Sequence, residues 1–198
     1  MIQTTRQLSD ALFDSGCIQF GAFTLKSGLA SPIYIDLRLL VSHPPLLREV
    51  AHALAEAAHE LEFDRIAAIP FAGLPIGVAM ALEMERPLIY PRPVKGHGLR
   101  RAIEGSFEPG ETALVVDDLI SRGGSKLEAI APLEEAGITV RDVLVLIDRK
   151  QGGPEELAEQ GYRLHAVFCL PEILDALRES ARITPGQHDE VTAYLQGS

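Results

Sequence analysis

The stretch LVVDDLISRGGS, residues 114 to 125, decides how the chain is read. An apolar run, ALVV (113–116), leads into two adjacent carboxylates, Asp117 and Asp118, and then into a Gly-Gly-Ser turn. The run predicts a buried strand, and the turn predicts the start of a helix. Two further apolar runs, at 66–69 and 143–147, also lack polar–apolar alternation, and helical segments separate all three. Continuous runs of this kind suit parallel strands buried on both faces. The expected fold is α/β: an open, mostly parallel twisted sheet flanked by helices. In such sheets ligands sit beyond the carboxyl ends of the strands, where the strand order reverses. Pro70–Gly73, Asp117–Ser125 and Asp148–Arg149 all fall at predicted strand ends.

Outward from this centre, GLPIGVAMALEM (73–84) reads as a helix and PLIY (87–90) as a strand. Residues 44–62 read as a long alanine-rich helix opened by Pro44 and Pro45, since proline suits the first helical turn. A helix over 5–15 and short strands over 20–25 and 33–37, joined by LKSGLASP, precede it. Residues 91–111 have no apolar period and read as a loop; structureless segments that long are usually functional. A helix from about 125 to 136, a strand over 140–149, a helix over 154–160, a strand over 162–168 and a helix over 171–180 are expected to complete the chain. One domain over 1–198 is expected, with a small cap, or hood, formed mainly by about the first 40 residues.

The net charge of −10 argues against a nucleic-acid or membrane-surface protein, both of which need a basic face. Any cations that meet an anionic substrate must therefore be local. Cys17 and Cys169 fit neither a metal spacing nor a disulfide framework, which points to a reducing, cytoplasmic setting. No apolar run is long enough for a transmembrane helix, and the polar, amphipathic N-terminus is not that of a signal peptide.

Ser121-Arg122-Gly123-Gly124-Ser125 lies between a strand and a helix. Backbone N–H groups there point outward, and the helix dipole adds partial positive charge. Glycine lets a ligand approach the backbone, and the serines add hydroxyl donors. A phosphate monoester suits this loop. Asp117 and Asp118 would repel that phosphate, but they can accept hydrogen bonds from vicinal sugar hydroxyls or hold metal-bound water. Diol and phosphate together describe a ribose 5-phosphate. The plainer alternative stays open: Gly-Gly-Ser also makes ordinary βα turns, and Asp often caps helices. The Gly-Lys-Ser/Thr of a P-loop is missing, and no G-x-G-x-x-G follows a strand.

LVVDDLISRGGS resembles the phosphoribosyl-pyrophosphate (PRPP) signature of the type I phosphoribosyltransferases. FTLKSGLASPIYIDLR (23–38), VKGHG (94–98) and VLIDRKQGG (145–153) narrow the resemblance to orotate phosphoribosyltransferase, and most nearly to the transferase half of bifunctional UMP synthases. The similarity runs from about Leu12 to Leu177, and no decarboxylase half is expected. It implies transfer of the 5-phosphoribosyl group from PRPP to orotate, giving orotidine 5′-phosphate and pyrophosphate. It assigns Lys26 to orotate and pyrophosphate, and Tyr34 and Ile35 to the pyrimidine ring. Phe71 and Ala72 fall on the pyrophosphate turn, and Arg92, Lys95 and His97 on a mobile lid that holds pyrophosphate. Asp117, Asp118, Leu119, Ile120, Ser121, Arg122, Gly123, Gly124 and Ser125 form the ribose-phosphate site, with Ser121 also near orotate. Arg149 meets the orotate carboxylate. Catalytic weight falls on Lys26, Lys95 and Asp118.

The resemblance further implies Mg2+ bound mainly through PRPP, pyrophosphate and water, with no dedicated protein ligand cage. It implies a homodimer whose lid reaches the neighbouring subunit's site, and a hood completed by part of the C-terminal region. The chain departs from the family's pattern in having Pro91-Arg92 where Arg-Lys is usual, Ala72 where bacterial forms often have lysine, and the bulky Arg122 in the phosphate loop. Two other readings remain: a transferase acting on another base, and a PRPP-binding regulator without turnover.

Overall fold

The computed structural model describes residues 5–24, 28, 30–92 and 102–197. Helix α1 (Thr5–Asp14) precedes a hairpin of β1 (Ile18–Thr24) and β2 (Ala30–Ile35). Then come α2 (Pro44–Ala57), β3 (Arg65–Ala68), α3 (Gly73–Met84), β4 (Leu88–Pro91) and β5 (Ile103–Glu104). The second half contains β6 (Thr112–Ile120), α4 (Gly124–Glu135), β7 (Thr139–Asp148), α5 (Gly153–Glu159), β8 (Arg163–Cys169), α6 (Leu170–Glu179) and α7 (Pro185–Gln196).

Six strands form one sheet in the order β5-β4-β3-β6-β7-β8, parallel throughout except for the antiparallel edge strand β5. Both faces are covered, and the residues of the apolar runs divide between them. Leu114 and Val116 of β6 join Ile76 and Met80 of α3 and Leu174 of α6 in one core. Ala113 and Val115 join Ile130 and Leu133 of α4 and Leu157 of α5 in the other. Successive side chains in a strand point to opposite faces, so burial on both faces requires the unbroken apolar runs seen in the sequence. From β3 the chain passes through α3 to β4 and β5, then returns across β3 to β6 and continues the other way. The order therefore reverses between β3 and β6, and in open sheets of this kind ligands bind beyond the carboxyl ends of such a pair.

The β1–β2 hairpin is a separate antiparallel pair, with α7 packed against β2 and α1 against α6. Helix α3 is apolar nearly all round: Ile76 and Met80 are buried against the sheet, while Val78 and Leu82 are 43% and 78% exposed.

Several boundaries differ from the sequence reading. The second short strand stops at Ile35, not Leu37, because the Asp36 carboxylate accepts the Arg38 N–H and starts a 3-10 turn over Leu37–Ser42. Helix α2 ends at Ala57 instead of near 62; the chain turns there so that Leu61 and Phe63 fold back onto the core. The strand expected over TALVVDD (112–118) extends two residues further, to Ile120, with Leu119 and Ile120 paired to Ile147 and Asp148 of β7. Within 91–111, Ile103 and Glu104 pair with Pro91 and Tyr90 to form β5, so the segment is not all loop. The C-terminal helix α7 is absent from the sequence reading, which ends the secondary structure near 180. Its signal is present: Pro185 in the first turn, and a capping box in which Thr184 and Gln187 exchange side-chain bonds with each other's backbone N–H.

Candidate active site

The β3 and β6 strand ends approach closely, and Gly73 permits it. A Cβ at Gly73 would lie 2.6 Å from Asp117 Oδ1 and 3.0 Å from the Val116 carbonyl oxygen, so α3 can begin against β6 only with glycine there. Phe71, just before that turn, is 85% exposed, and Ala72 is the N-cap of α3.

Asp117 is buried at the end of β6. Its Oδ2 lies 2.5 Å from the ammonium of Lys126, and its Oδ1 accepts the Asp118 N–H at 2.9 Å. Lys126, only 5% exposed, also donates to the Leu119 carbonyl at 2.7 Å. Asp118 is only partly buried; it accepts the Leu119 N–H at 2.7 Å and makes no ion pair among the described residues. Burial raises the Asp118 carboxyl to about 7, and the neighbouring Asp117 charge adds to the shift, against opposition from the Leu119 N–H and Lys126. The two adjacent carboxylates therefore sit in different environments. The side chains of Leu119 and Ile120 belong to the cores, and the backbone of each serves the site differently: the Leu119 carbonyl takes Lys126, and the Ile120 carbonyl takes the Arg149 N–H.

Beyond the strand, Arg122, Gly124 and Ser125 are exposed at the start of α4. A Cβ on Gly124 would meet nothing within 4 Å, so the helix N-terminus opens to a ligand. The N–H groups and positive dipole end there suit a phosphate. One donor already has a partner: the Gly123 N–H gives a 2.7 Å bond to Glu156 Oε2 from α5, and Arg122 pairs with Oε1 of the same carboxylate at 3.1 Å.

Arg149 follows β7 and its Nη1 lies 3.4 Å from Ser121 Oγ. Its Nε and Nη2 are buried and have no hydrogen-bond partner among the described residues. These two nitrogens form one edge of the guanidinium fork, the edge that Arg65 and Arg163 turn to Glu111 and Asp142 elsewhere in the chain. Burial pulls the Arg149 pKa down, while Tyr194 of α7, close by, pushes the other way. Pairing of Arg149 with Asp148 is not seen, because Lys150 takes Asp148 through both its backbone N–H and its ammonium. A buried, unsatisfied cationic fork is costly unless a ligand supplies the acceptor. A planar carboxylate matches it.

The carboxyl edge of the sheet therefore gathers Phe71, Ala72, the segment from Asp117 to Ser125, and Arg149. Tyr34 and Ile35 lie in the β1–β2 hairpin. The Tyr34 ring is 5.5 Å from that of Phe23, its hydroxyl accepts from Arg38 at 3.2 Å, and Ile35 packs on the core. The link from this hairpin to the sheet runs through α7, which touches β2 and carries Tyr194 to Arg149. Arg92, just after β4, is ion-paired to Glu104 at 2.8 Å. Lys26, Lys95 and His97 lie outside the described residues.

Lys126, Glu156 and Tyr194 are site residues that the sequence reading missed. For Lys126 a signal existed, since a cation in the first turn of a helix opposes the macrodipole and calls for an acidic partner. Tyr194 was out of reach once α7 was missed. Glu156 carries no such signal, because acidic residues in the first turn of α5 suit that helix in its own right. Among the described residues no group of three or more His, Cys, Asp or Glu is placed to hold a metal ion, and no helix is long and apolar enough to cross a membrane.

No family model matches the chain. It is 36% identical over 173 residues to an orotate phosphoribosyltransferase of Pyrococcus furiosus, covering 86% of this chain and 95% of that one. It is 42% identical over 183 residues to the bifunctional enzyme PyrF/PyrE of a Nostoc species, covering 92% of this chain and 38% of the relative. The solved structure of Leishmania donovani UMP synthase superposes with a TM-score of 0.91 at 44% identity, covering 99% of this chain and 43% of that one. The chain thus spans about two fifths of the length of these last two proteins.

Proposed function

Since the chain belongs to the orotate phosphoribosyltransferase family, we propose that it transfers the 5-phosphoribosyl group of PRPP to orotate, giving orotidine 5′-phosphate and pyrophosphate for pyrimidine synthesis. The observation that carries this reading is the buried Nε–Nη2 edge of Arg149, which lacks an acceptor among the described residues, while the Nη1 of the same group lies beside Ser121. That edge takes the orotate carboxylate. The ribose sits at the strand end that carries Asp117 and Asp118, and the loop from Ser121 to Ser125 takes the 5-phosphate on its N–H groups and hydroxyls.

As the bond between C1 and pyrophosphate breaks, negative charge gathers on the leaving group and positive charge on the ribose. Cations fixed near the pyrophosphate stabilise that state more than the ground state. The turn at Phe71 and Ala72 follows the carboxyl end of β3; Lys26, Arg92, Lys95 and His97 are the family positions for the remaining contacts, with Lys26 also facing the base. Asp118 offers negative charge to the electron-poor ribose. Bound Mg2+, carried mainly on pyrophosphate and water, would neutralise leaving-group charge; the exposed side of the Asp118 carboxyl suits a hydrogen bond from its water.

The whole chain acts as one phosphoribosyltransferase domain, with a hood built from about the first 40 residues and completed by α7. Its functional unit is a homodimer with the lid shared across subunits. The exposed apolar side of α3 supports this, since a helix apolar all round needs cover on both sides; Leu82 lines a groove with Pro44, Leu47, Ala51 and Ala79. Two free cysteines suit a reducing, cytoplasmic setting.

Loss of orotate absorbance on mixing protein, PRPP, Mg2+ and orotate tests the reaction, and no loss under conditions where a separate control enzyme is active would refute it. Arg149→Ala should raise the orotate KM well above any change in the PRPP KM, because only orotate has the carboxylate.

A further inference from the structure

Lysine is almost never buried unless it is paired. Lys126 is 5% exposed, sits in the first turn of α4 where the helix dipole disfavours a cation, and belongs to no residue set assigned above. Its ammonium has two partners, Asp117 Oδ2 at 2.5 Å and the Leu119 carbonyl at 2.7 Å. These contacts fix two parts of the site at once. One is the first carboxylate of the pair; the other is the last stretch of β6, from which the phosphate loop departs.

The effect on Asp117 is specific. With Oδ2 on Lys126, Oδ1 on the Asp118 N–H and Gly73 pressed against Oδ1, both of its oxygens are engaged inside the protein, and its side chain is 8% exposed. Asp118 has no cation of its own among the described residues. Building on the reading of this strand end as the ribose site, we propose that Lys126 is a positioning residue for PRPP: it holds Asp117 as an internal anion and fixes the strand end, leaving Asp118 to turn its carboxylate to the ribose hydroxyls. The pair then has a division of labour, one carboxylate locked to the scaffold and one left for the sugar. Without Lys126, the Asp117 carboxylate would be left buried with no cation, free to turn away from the scaffold and to compete for the contacts that Asp118 needs.

The test uses the full chain. Wild-type protein is assayed first with PRPP, Mg2+ and orotate; inactivity there would remove the ribose-site reading itself, whereas the variants bear on Lys126 alone. In active protein, Lys126→Met should raise the PRPP KM by about tenfold or more while the orotate KM moves by less than about twofold. Adding Asp117→Asn to Lys126→Met removes the stranded charge, and should bring the PRPP KM back down by about fivefold or more with a recovered thermal midpoint. This second variant also keeps the question open to measurement if Lys126→Met alone fails to fold. If Lys126→Met lowers the midpoint but leaves the PRPP KM unchanged, or raises both KM values alike, Lys126 is a structural residue only. If the double variant binds PRPP no better than the single, or, where the single does not fold, no better than Asp118→Asn, Asp117 itself grips the ribose and the division of labour is wrong.

Discussion

At the scale of single residues, Asp118 is a carboxyl whose place in the fold opposes its charge. Its carboxyl is raised in the fold to about 7 from an ordinary 3.8, mainly by burial. A raised carboxyl binds its proton more tightly folded than unfolded, so its contribution favours folding below about pH 4 and is lost as pH rises towards 7. Asp118→Asn removes that titration. The variant should melt higher than wild type at pH 8, by at least about 2–4 °C, the shift that about 1 kcal/mol produces in a chain of this length. The gap should close by pH 4, while PRPP binding is weakened at both. A variant that melts lower at pH 8 would place Asp118 among the residues that hold the fold. Arg149 carries a similar cost: its buried Nε and Nη2 have no partner among the described residues, and a carboxylate bound there would offset that cost.

Two helices outside the central motif bear on it at the scale of elements. Helix α5 turns Glu156 onto the Gly123 N–H, a donor that a phosphate would also use. Glu156→Gln removes a negative charge from the edge of that loop, so the PRPP KM should fall by about two- to fivefold, the range expected for a partly exposed charge. A rise instead would mean that Glu156 serves chiefly to hold Arg122 and the loop. Helix α7 brings Tyr194 to the guanidinium of Arg149 from the hood side. Tyr194→Phe keeps the ring and loses the hydroxyl. It should raise the orotate KM by roughly tenfold, the value of a hydrogen bond to a charged group, with little change in the PRPP KM. Steady-state kinetics with each substrate varied in turn separates the two; equal changes would mean that α7 matters only for packing.

At the scale of the whole molecule, the exposed side of α3 is the feature that a single subunit leaves uncovered. If the chain forms the proposed homodimer, Val78→Asp with Leu82→Asp should halve the mass seen by sedimentation and lower turnover; a wild-type monomer in solution would refute the dimer. The central sheet was legible in the order of residues, because a strand buried on both faces must be apolar throughout, and the runs at 66–69, 113–116 and 143–147 could be little else. The placing of the two aspartates at a strand end and of the Gly-Gly-Ser turn at a helix start was legible too, because these residues are neighbours in the chain. Their surroundings were settled by folding. Glu156 lies 33 residues from Gly123, and α7 returns from the far end of the chain to meet Arg149. Lys126 is near in sequence, yet whether its ammonium meets solvent or Asp117 depends on how α4 packs against β6. Adjacent carboxylates look alike in a sequence; they become different groups only when the fold gives one a buried cation and leaves the other without, since the free energy of a charge depends on its surroundings in space.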